Sequence, residues 1–262
     1  MRQNQARHQS VVVEKEEILN SVRDDGRSAL DRYRRFFLGD TSIANLLLYE
    51  LTSWVATPSP GALGYAMRKL LYHRLGAKID RSVLWGRNVA LRHPDKIAVG
   101  AGTAFDDYCA LDARGAGEGG LSVGRDVLIA RDTVLQAKTG SLRVGDGCVI
   151  GPKCYIGSAG GIQIGNRVMI GGCCYIGGGR YKPDGPMAVA DQEMYSNGPV
   201  VIEDNVYIGA GVYILDGVRI GRGSFIGAGA IVQNDVDREV ILALHQKQVA
   251  LPRRRAGQSS HG

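Results

Sequence analysis

The strongest constraint on the fold is a six-residue rhythm in the stretch from Ile202 to Val236. An aliphatic residue recurs at every sixth position, and a small or branched residue stands four places after each of them. These aliphatic positions are Ile202, Ile208, Ile214, Ile220, Ile226 and Val232. A period of six is neither that of an α-helix nor that of a simple alternating strand. It is typical of a parallel β-helix, in which three such units close a coil of about eighteen residues.

The same rhythm can be followed upstream to about Ile79, with coils of unequal length. The first positions of successive coils lie 24, 21, 20, 38 and 18 residues apart, and they are Val99, Val123, Val144, Ile164, Ile202 and Ile220. The excess over about eighteen residues predicts an insertion at one corner of a coil. The largest insertion is a loop at residues 177–199, and a loop of that size inside a regular repeat is usually functional.

Two outer faces of the predicted β-helix are apolar. The residue before each inward aliphatic points outward, because neighbours on a strand alternate. We call one outward row the methionine column, which consists of Leu128, Val149, Met169, Tyr207 and Phe225. We call the other the tyrosine column, which consists of Val134, Tyr155, Tyr175, Tyr213 and Ile231. The third face offers Gly140, Gly161 and Arg219. Because a threefold ring would bury two apolar faces of each subunit, the pattern predicts a homotrimer.

The chain around the repeat divides into four segments. We expect a disordered tail at residues 1–13, a helical region at 14–76, the β-helix at 77–240 and a C-terminal tail at 241–262. In the helical region, Thr41 or Ser42 is placed to cap a helix that ends before Pro58. The segment 62–76 has a basic amphipathic pattern, which fits either packing on the β-helix or lying on a lipid surface.

Charge and hydropathy narrow the class of protein. The formal net charge of +6 favours an anionic ligand or a membrane surface, and no nucleic-acid-binding motif accompanies it. The first ten residues are polar and lack the apolar region of a signal peptide. The apolar stretch 43–56 is too short for a membrane span and contains Glu50. We therefore expect a cytoplasmic protein, and contact with the inner face of the membrane stays open.

The cysteines predict neither disulfides nor a metal site. There are five of them, an odd number, and no two have the CxxC spacing. Four occupy the small-residue position of a hexad, namely Cys109, Cys148, Cys154 and Cys174. We expect buried, reduced thiols at the corners of the coils.

From Ile79 to about Val240 the chain resembles the hexapeptide-repeat acyltransferases. Segments LRHPDKI at 91–97, LDARG at 111–115 and IGGG at 176–179 look most like sugar O-acetyltransferases of bacterial polysaccharide synthesis. The part EMYSNGPVVIEDNVYIGAG at 193–211 is also similar to the galactoside and maltose acetyltransferases. The resemblance implies left-handed coils, a trimer, and transfer of an acetyl group from acetyl-CoA to a hydroxyl of a sugar or glycolipid.

The resemblance also assigns the acyl-CoA groove, which lies between two subunits. Tyr207 matches the aromatic wall of the site, and Met194 matches a loop residue of the facing subunit. The backbone N–H groups of Ala210 and Ala228, beside Gly209, match those that touch the pantetheine arm. Eighteen residues separate these two alanines, which places them one above the other in adjacent coils. Arg222 is a candidate partner for the phosphates.

The general base is the point at which this chain departs from the family pattern. A sugar hydroxyl must lose its proton as it attacks the thioester, and the family supplies a histidine at the start of the long loop. Arg180 occupies that place, and a guanidinium that stays charged does not serve as a base. The alternative candidates are His245, Asp184, Asp191, Glu193 and Tyr181. A second hypothesis follows, in which the chain is a catalytically silent trimer that binds a ligand or a partner protein.

Overall fold

The β-helix consists of three parallel sheets. The computed structural model describes residues 11–13, 26–76, 78–117, 119–181, 188, 192 and 194–243. Sheet A contains β2 (Lys78–Ile79), β5 (Ile97–Val99), β8 (Leu121–Val123), β11 (Leu142–Val144), β14 (Ile162–Ile164), β18 (Val200–Ile202) and β21 (Arg219–Ile220). Sheet B contains β3 (Leu84–Trp85), β6 (Ala104–Phe105), β9 (Leu128–Ile129), β12 (Val149–Ile150), β15 (Met169–Ile170), β19 (Tyr207–Ile208), β22 (Phe225–Ile226) and β24 (Ile241–Leu242). Sheet C contains β4 (Ala90–Arg92), β7 (Ala110–Asp112), β10 (Val134–Gln136), β13 (Tyr155–Ser158), β16 (Tyr175–Gly178), β20 (Tyr213–Leu215) and β23 (Ile231–Val232).

The chain visits sheets A, B and C in turn, so that each circuit is one coil. Sheets A and C have seven strands each and sheet B has eight, which gives about seven coils. The predicted β-helix is therefore confirmed. Its left-handed sense, which the resemblance implies, stays a prediction.

The interior is the stack of inward aliphatics that the six-residue rhythm predicts. Ile164 pairs with Ile202 across the large loop, and Ile176 pairs with Ile214. Ile156 and Ile176 are fully buried, and so are most of their neighbours in the stack. In-register stacking lets each coil bury its apolar side against the next, which no single coil does alone.

The outward columns also follow the prediction. Tyr155, Tyr175 and Tyr213 are paired in successive strands of sheet C, with ring centroids 5.3 and 6.0 Å apart. The methionine column runs in register along sheet B. On sheet A the outward row differs from the prediction, because the glycines named for it lie at a corner. That row is polar at most positions and consists of Ala98, Ser122, Arg143, Gln163, Val201 and Arg219.

Small residues close the corners between the sheets. Cys109, Cys148, Cys154 and Cys174 are buried there, and Cys173 is exposed. Burial raises the pKa of the Cys109 thiol to about 11, so this group stays protonated near neutral pH. The expected corner role of the four cysteines is confirmed.

A layer of helices covers the start of the β-helix. Its elements are α1 (Ala29–Phe37), α2 (Ile43–Leu51), a π-helix (Thr52–Ala56) and α3 (Gly61–Leu75), and a short 3-10 turn (Pro94–Lys96) follows in the first coil. Ser42 caps α2, as predicted, by accepting from the Asn45 N–H. In α3, Tyr72 is buried and donates to Val89 O at 2.8 Å. The Tyr72 ring packs on Trp85, which stacks on Phe105 in the next coil.

Two predicted boundaries differ in the structure. Val11–Val13, expected in a disordered tail, is strand β1 and pairs antiparallel with β17 (Met194–Ser196). Ile241–Leu242, expected in the C-terminal tail, is β24, because this pair continues the inward and outward alternation of β22. Residues 14–25 and 244–262 lie outside the described part of the chain.

His93 anchors the end of α1 to the first coil. Its backbone N–H donates to Phe37 O at 3.0 Å, and its Nε2 lies 3.0 Å from Arg35 O. Burial lowers the pKa of His93 below its ordinary value of 6.5. The unfolded chain therefore binds a proton more readily than the folded one. The contribution of the neutral, buried His93 to the free energy of unfolding is therefore fully present above a pH of about 6.5. This contribution is lost as the pH falls below that value.

We expect acidification to lower the melting temperature of the wild type more than that of a His93→Gln variant. Glutamine keeps a donor for the Arg35 carbonyl and does not titrate, so the variant lacks this proton-linked loss. Scanning calorimetry at a pH of about 7.5 and about 5.5 measures the difference. The same pH dependence in both proteins would contradict the role assigned to His93.

Candidate active site

The residues predicted to line the donor groove lie along one corner of the β-helix. Ala210 and Ala228 follow β19 and β22, at the corner between sheets B and C, and both are exposed. The Ala210 carbonyl accepts from Gly229 at 2.9 Å, which ties the two coils together. Beside this corner stands Tyr207, whose ring centroid is 5.6 Å from that of Phe225. The structure therefore brings Tyr207, Gly209, Ala210 and Ala228 together.

Backbone N–H groups at this corner are left without acceptors. Within the described part of the chain, no acceptor takes the N–H of Gly172, Ala210 or Ala228. These three residues occupy the same corner position in successive coils, so their N–H groups form a row with a rise of about 4.8 Å. A row of unpaired donors of this kind is suited to an extended ligand with acceptors along its length.

Arg222 lies at the other edge of sheet B. Its backbone N–H donates to Glu203 Oε2 at 2.8 Å, and Arg238 Nε lies 3.2 Å from the same oxygen. Arg219 also pairs with Glu203. The backbone hydrogen bond from Arg222, with Arg238 and Arg219, holds the pKa of Glu203 below its ordinary value. One chain therefore places Arg222 across sheet B from Ala210 and Ala228.

The large loop leaves and re-enters at the corner between sheets C and A. Gly177 and Gly178 end β16 with φ of 125° and 132°, which only glycine adopts readily. Arg180 and Tyr195 then exchange two backbone hydrogen bonds of 2.9 Å, so the two limbs form an antiparallel pair. A Cβ on Gly179 would lie 2.6 Å from the Met194 sulfur, which shows how closely the limbs pack.

The predicted site residues fall at different corners of one chain. Arg180, Tyr181 and Met194 lie at the C–A corner, whereas Tyr207, Ala210 and Ala228 lie at the B–C corner. Sheet C separates the two sets. Arg180 and Tyr181 have exposed side chains. Asp184, Asp191, Glu193 and His245 lie outside the described residues.

Asp216 is a residue of this region that the sequence pattern did not single out. It is 4% exposed, accepts from Ser196 Oγ at 2.9 Å, and accepts from the Asn197 N–H at 2.6 Å. Ser196 in turn accepts from the Gly198 N–H at 3.0 Å. Asp216 therefore fixes the returning limb of the loop to the next coil. The sequence feature that could have identified Asp216 is its charge, because this corner position of the hexad holds small residues in other coils.

We expect Asp216→Ala to loosen the returning limb without unfolding the coils. The buried Ser196 hydroxyl and Asn197 N–H lose an acceptor, at a cost of about 2 kcal/mol. Amide exchange at Asn197 and Gly198 should speed up, and limited proteolysis should cut the loop faster. Asp216→Asn keeps one acceptor oxygen and serves as the control. Unchanged exchange at both amides in Asp216→Ala would contradict this account.

A polar row lies on sheet C below the loop. Tyr155 donates from its hydroxyl to Gln136 Oε1 at 2.5 Å, and Gln136 Nε2 donates to Asp112 Oδ2 at 3.3 Å. Arg114 pairs with Asp112 at 2.8 Å. Lys138 lies 5.9 Å from the Tyr155 ring, and burial lowers the pKa of its ammonium group. This row places aromatic faces and planar polar groups on one surface.

The fold and its six-residue units define a class of protein. A family model described as bacterial transferase hexapeptide (six repeats) matches residues 199–234. A model described as hexapeptide repeat of succinyl-transferase matches residues 141–178. The chain therefore carries the hexapeptide repeats of bacterial transferases, as its sequence resemblance indicates. No curated protein matches the sequence significantly.

Several solved structures are similar to this chain at low sequence identity. AntD, an N-acyltransferase from Bacillus cereus in complex with dTDP and 3-hydroxybutyryl-CoA, is 20% identical, with a TM-score of 0.46 over 67% of this chain and 82% of AntD. A maltose O-acetyltransferase from Clostridium difficile 630 is 21% identical, with a TM-score of 0.38 over 76% and 80% of the two chains. A hexapeptide-repeat acetyltransferase from Vibrio cholerae is 18% identical, with a TM-score of 0.38 over 78% and 89%.

Proposed function

We propose that the protein is an acyltransferase that moves an acetyl group from acetyl-CoA to a hydroxyl of a sugar or glycolipid, in polysaccharide synthesis. The observation that carries the proposal is the row of unpaired N–H groups at Gly172, Ala210 and Ala228 beside the Tyr207 ring. The pantetheine arm is extended and has two amide carbonyls and a thioester carbonyl. The carbonyl groups of such an arm accept hydrogen bonds from N–H groups that follow one another in successive coils. The aromatic ring packs along the methylene groups of the arm.

The donor and acceptor sites come together between copies. In one chain the groove and the loop stand at opposite edges of sheet C, so a complete site takes the loop of a neighbouring subunit. We therefore include the homotrimer in the proposal. Its support is the exposed methionine column, in which Met169, Tyr207 and Phe225 are each about half exposed in the isolated chain. Sedimentation equilibrium measures the oligomeric state.

The acceptor sugar lies on the polar row of sheet C in this proposal. The outer edges of the stacked Tyr155 and Tyr175 rings contact the sugar, and Gln136, held by Asp112, hydrogen-bonds its hydroxyl groups. Met194 closes the site from the loop. Arg222 neutralises the negative charge of the coenzyme phosphates in this proposal. The subunit that supplies Arg222 is the one whose sheet A lies next to the groove.

The proton of the attacking hydroxyl goes to a base from the loop or the tail. We propose Asp184 and His245 as the candidates. The tail that holds His245 continues from β24 in sheet B, next to the groove corner, and the loop that holds Asp184 reaches the groove from a neighbouring subunit in this proposal. Tyr181 serves to position the acceptor, and Arg180 stabilises the negative charge that develops on the thioester oxygen. A charged guanidinium suits the second role and not the first.

Acetyl-CoA binding and turnover test the proposal. We expect wild type to bind acetyl-CoA in calorimetric titration and to release free thiol when sugar acceptors are added. Ala228→Glu places a bulky anion on the groove and should raise the KM for acetyl-CoA by about tenfold or more. Ala101→Glu puts the same side chain at a corner between sheets A and B and should leave the KM unchanged. Failure of wild type to bind acetyl-CoA would overturn the proposal.

Arg180 also supports the second candidate, a catalytically silent trimer that binds a ligand. In that case wild type binds acetyl-CoA but transfers no acetyl group, and Arg180→His gains activity. Under the acyltransferase proposal wild type turns over, and Asp184→Asn or His245→Gln lowers kcat. The three variants together therefore separate the two functions.

A further inference from the structure

The helical layer presents an apolar stripe to solvent. Most exposed residues of α2 and the π-helix are apolar, with Asn45 as the polar exception. The large ones are Ile43, Leu47, Leu51, Trp54 and Val55. Trp54, near the end of the stripe, is 86% exposed. The opposite side of the same two elements is buried and carries Leu46, Tyr49, Thr52 and Ala56. Monomeric proteins rarely leave such a continuous apolar run in water without a use for it.

α3 adds to this apolar surface. It packs beside the π-helix, and its Leu63 and Leu70 are exposed. The sequence pattern placed the basic amphipathic surface on α3 itself, but Arg68 is buried there and donates to the carbonyls of Trp85, Ala56 and Ser59. The main apolar surface of the layer is therefore the stripe on α2 and the π-helix.

The layer that carries the stripe is positively charged. Residues 26–76 contain seven arginines and lysines against three acidic residues. The acidic groups already have partners, because Asp31 pairs with Arg34, Asp40 pairs with Arg35, and Glu50 accepts from the Tyr33 hydroxyl at 2.6 Å. On the exposed side of α3, Lys69 and Arg74 form no ion pair with any described residue.

The positive charge and the apolar surface together indicate what kind of partner binds the stripe. A second copy would bring two positively charged layers together, which disfavours pairing of the stripe with itself. An anionic bilayer accepts both features, because its acyl boundary takes the leucines and its headgroups attract lysine and arginine. Indole rings also favour the interface between headgroups and acyl chains. We infer that the stripe from Ile43 to Val55 docks the protein on an anionic lipid surface, with α2 lying in the plane of the interface.

The docking goes beyond the proposed acyl transfer and is independent of it, because no stripe residue belongs to the candidate active site. No helix among the described residues is long and apolar enough to cross a membrane. The inferred membrane contact therefore involves one face of the helical layer. Its strength depends on salt concentration and lipid composition, so the binding is reversible.

Tryptophan fluorescence reports the docking directly. The chain has two tryptophans, Trp54 and Trp85, and Trp85 is only 3% exposed. A change on adding vesicles therefore comes from Trp54. The full chain is titrated with vesicles of phosphatidylglycerol and phosphatidylcholine, and with vesicles of phosphatidylcholine alone. We expect a blue shift and co-sedimentation with the anionic vesicles, and weaker binding to the neutral ones.

Two sets of substitutions separate the apolar and the charged parts. Leu47→Ser with Leu51→Ser keeps Trp54 and the charge, and should weaken partitioning onto anionic vesicles by about tenfold. Lys69→Gln with Arg74→Gln should reduce the preference for anionic over neutral vesicles by about tenfold. Ile241→Asn removes an exposed apolar side chain from the last coil, at the opposite end of the β-helix from the helical layer, and should change neither quantity. All three variants alter exposed side chains, and circular dichroism confirms that they fold.

Three results would overturn the inference. The first is the absence of both blue shift and co-sedimentation with anionic vesicles. The second is partitioning that the double leucine variant leaves unchanged. The third is a wild type that forms larger oligomers than the leucine variant without lipid, since the stripe would then be a contact between copies.

Discussion

Gly209→Ala is expected to destabilise the β-helix by about 3 kcal/mol, although it adds a single methyl group. A Cβ at this position would lie 2.6 Å from the backbone nitrogen of Ala228 and 2.8 Å from its Cα. Both atoms belong to the next coil, which is hydrogen-bonded on both sides, so neither can move without separating two strands. Urea unfolding followed by circular dichroism measures the loss.

Gly211→Ala is the matched control for this substitution. Gly211 has a φ of +67°, and a Cβ there would have no atom within 4 Å. The substitution therefore meets only the left-handed backbone penalty, which is about 1 kcal/mol. If both variants lose the same stability, the close approach of the coils at Gly209 is not the cause.

Arg68→Met is expected to cost about 3 kcal/mol and to loosen the attachment of α3 to the first coil. The Arg68 guanidinium is buried and donates to Trp85 O at 3.0 Å, Ala56 O at 3.0 Å and Ser59 O at 2.6 Å. Burial lowers the pKa of this group, and the three carbonyls keep it hydrogen-bonded. Methionine fills a similar volume and leaves all three carbonyls without that donor.

Arg74→Met on the same helix provides the comparison, since Arg74 is exposed. It should change stability by about 0.5 kcal/mol or less. Melting temperatures of the two variants and the near-ultraviolet dichroism of Trp85 give independent measures. A melting temperature of Arg68→Met equal to that of wild type would contradict a structural role for the buried guanidinium.

The stacked core could be predicted from the sequence residue by residue. Six-residue spacing allows one register only, since a shift by one residue would turn every aliphatic outward. Ile164 and Ile202 therefore had to be neighbours in sheet A although the large loop separates them along the chain. The cysteine corners and the tyrosine column followed from the same spacing.

The contacts outside the repeat could not be predicted in this way. The position of Asp216 beside Ser196 depends on the return path of the loop, and no periodic signal describes that path. Arg68 fits the polar side of a helix by spacing, yet it is buried because carbonyls of the π-helix and the first coil need a donor. The pairing of β1 with β17 joins segments far apart in sequence, and neither has a repeat to fix its register.

The uneven spacing of the coils has a consequence for how such a chain diversifies. Every step from sheet A to B and from B to C is six residues, whereas the step from C to A ranges from six residues at Ile214–Ile220 to 26 at Ile176–Ile202. Segments at the C–A corner can thus change in length and sequence while the coils and the B–C corner keep their dimensions. Under the proposed function, acceptor preference can change through the C–A segments while the B–C corner that holds the donor groove keeps its spacing.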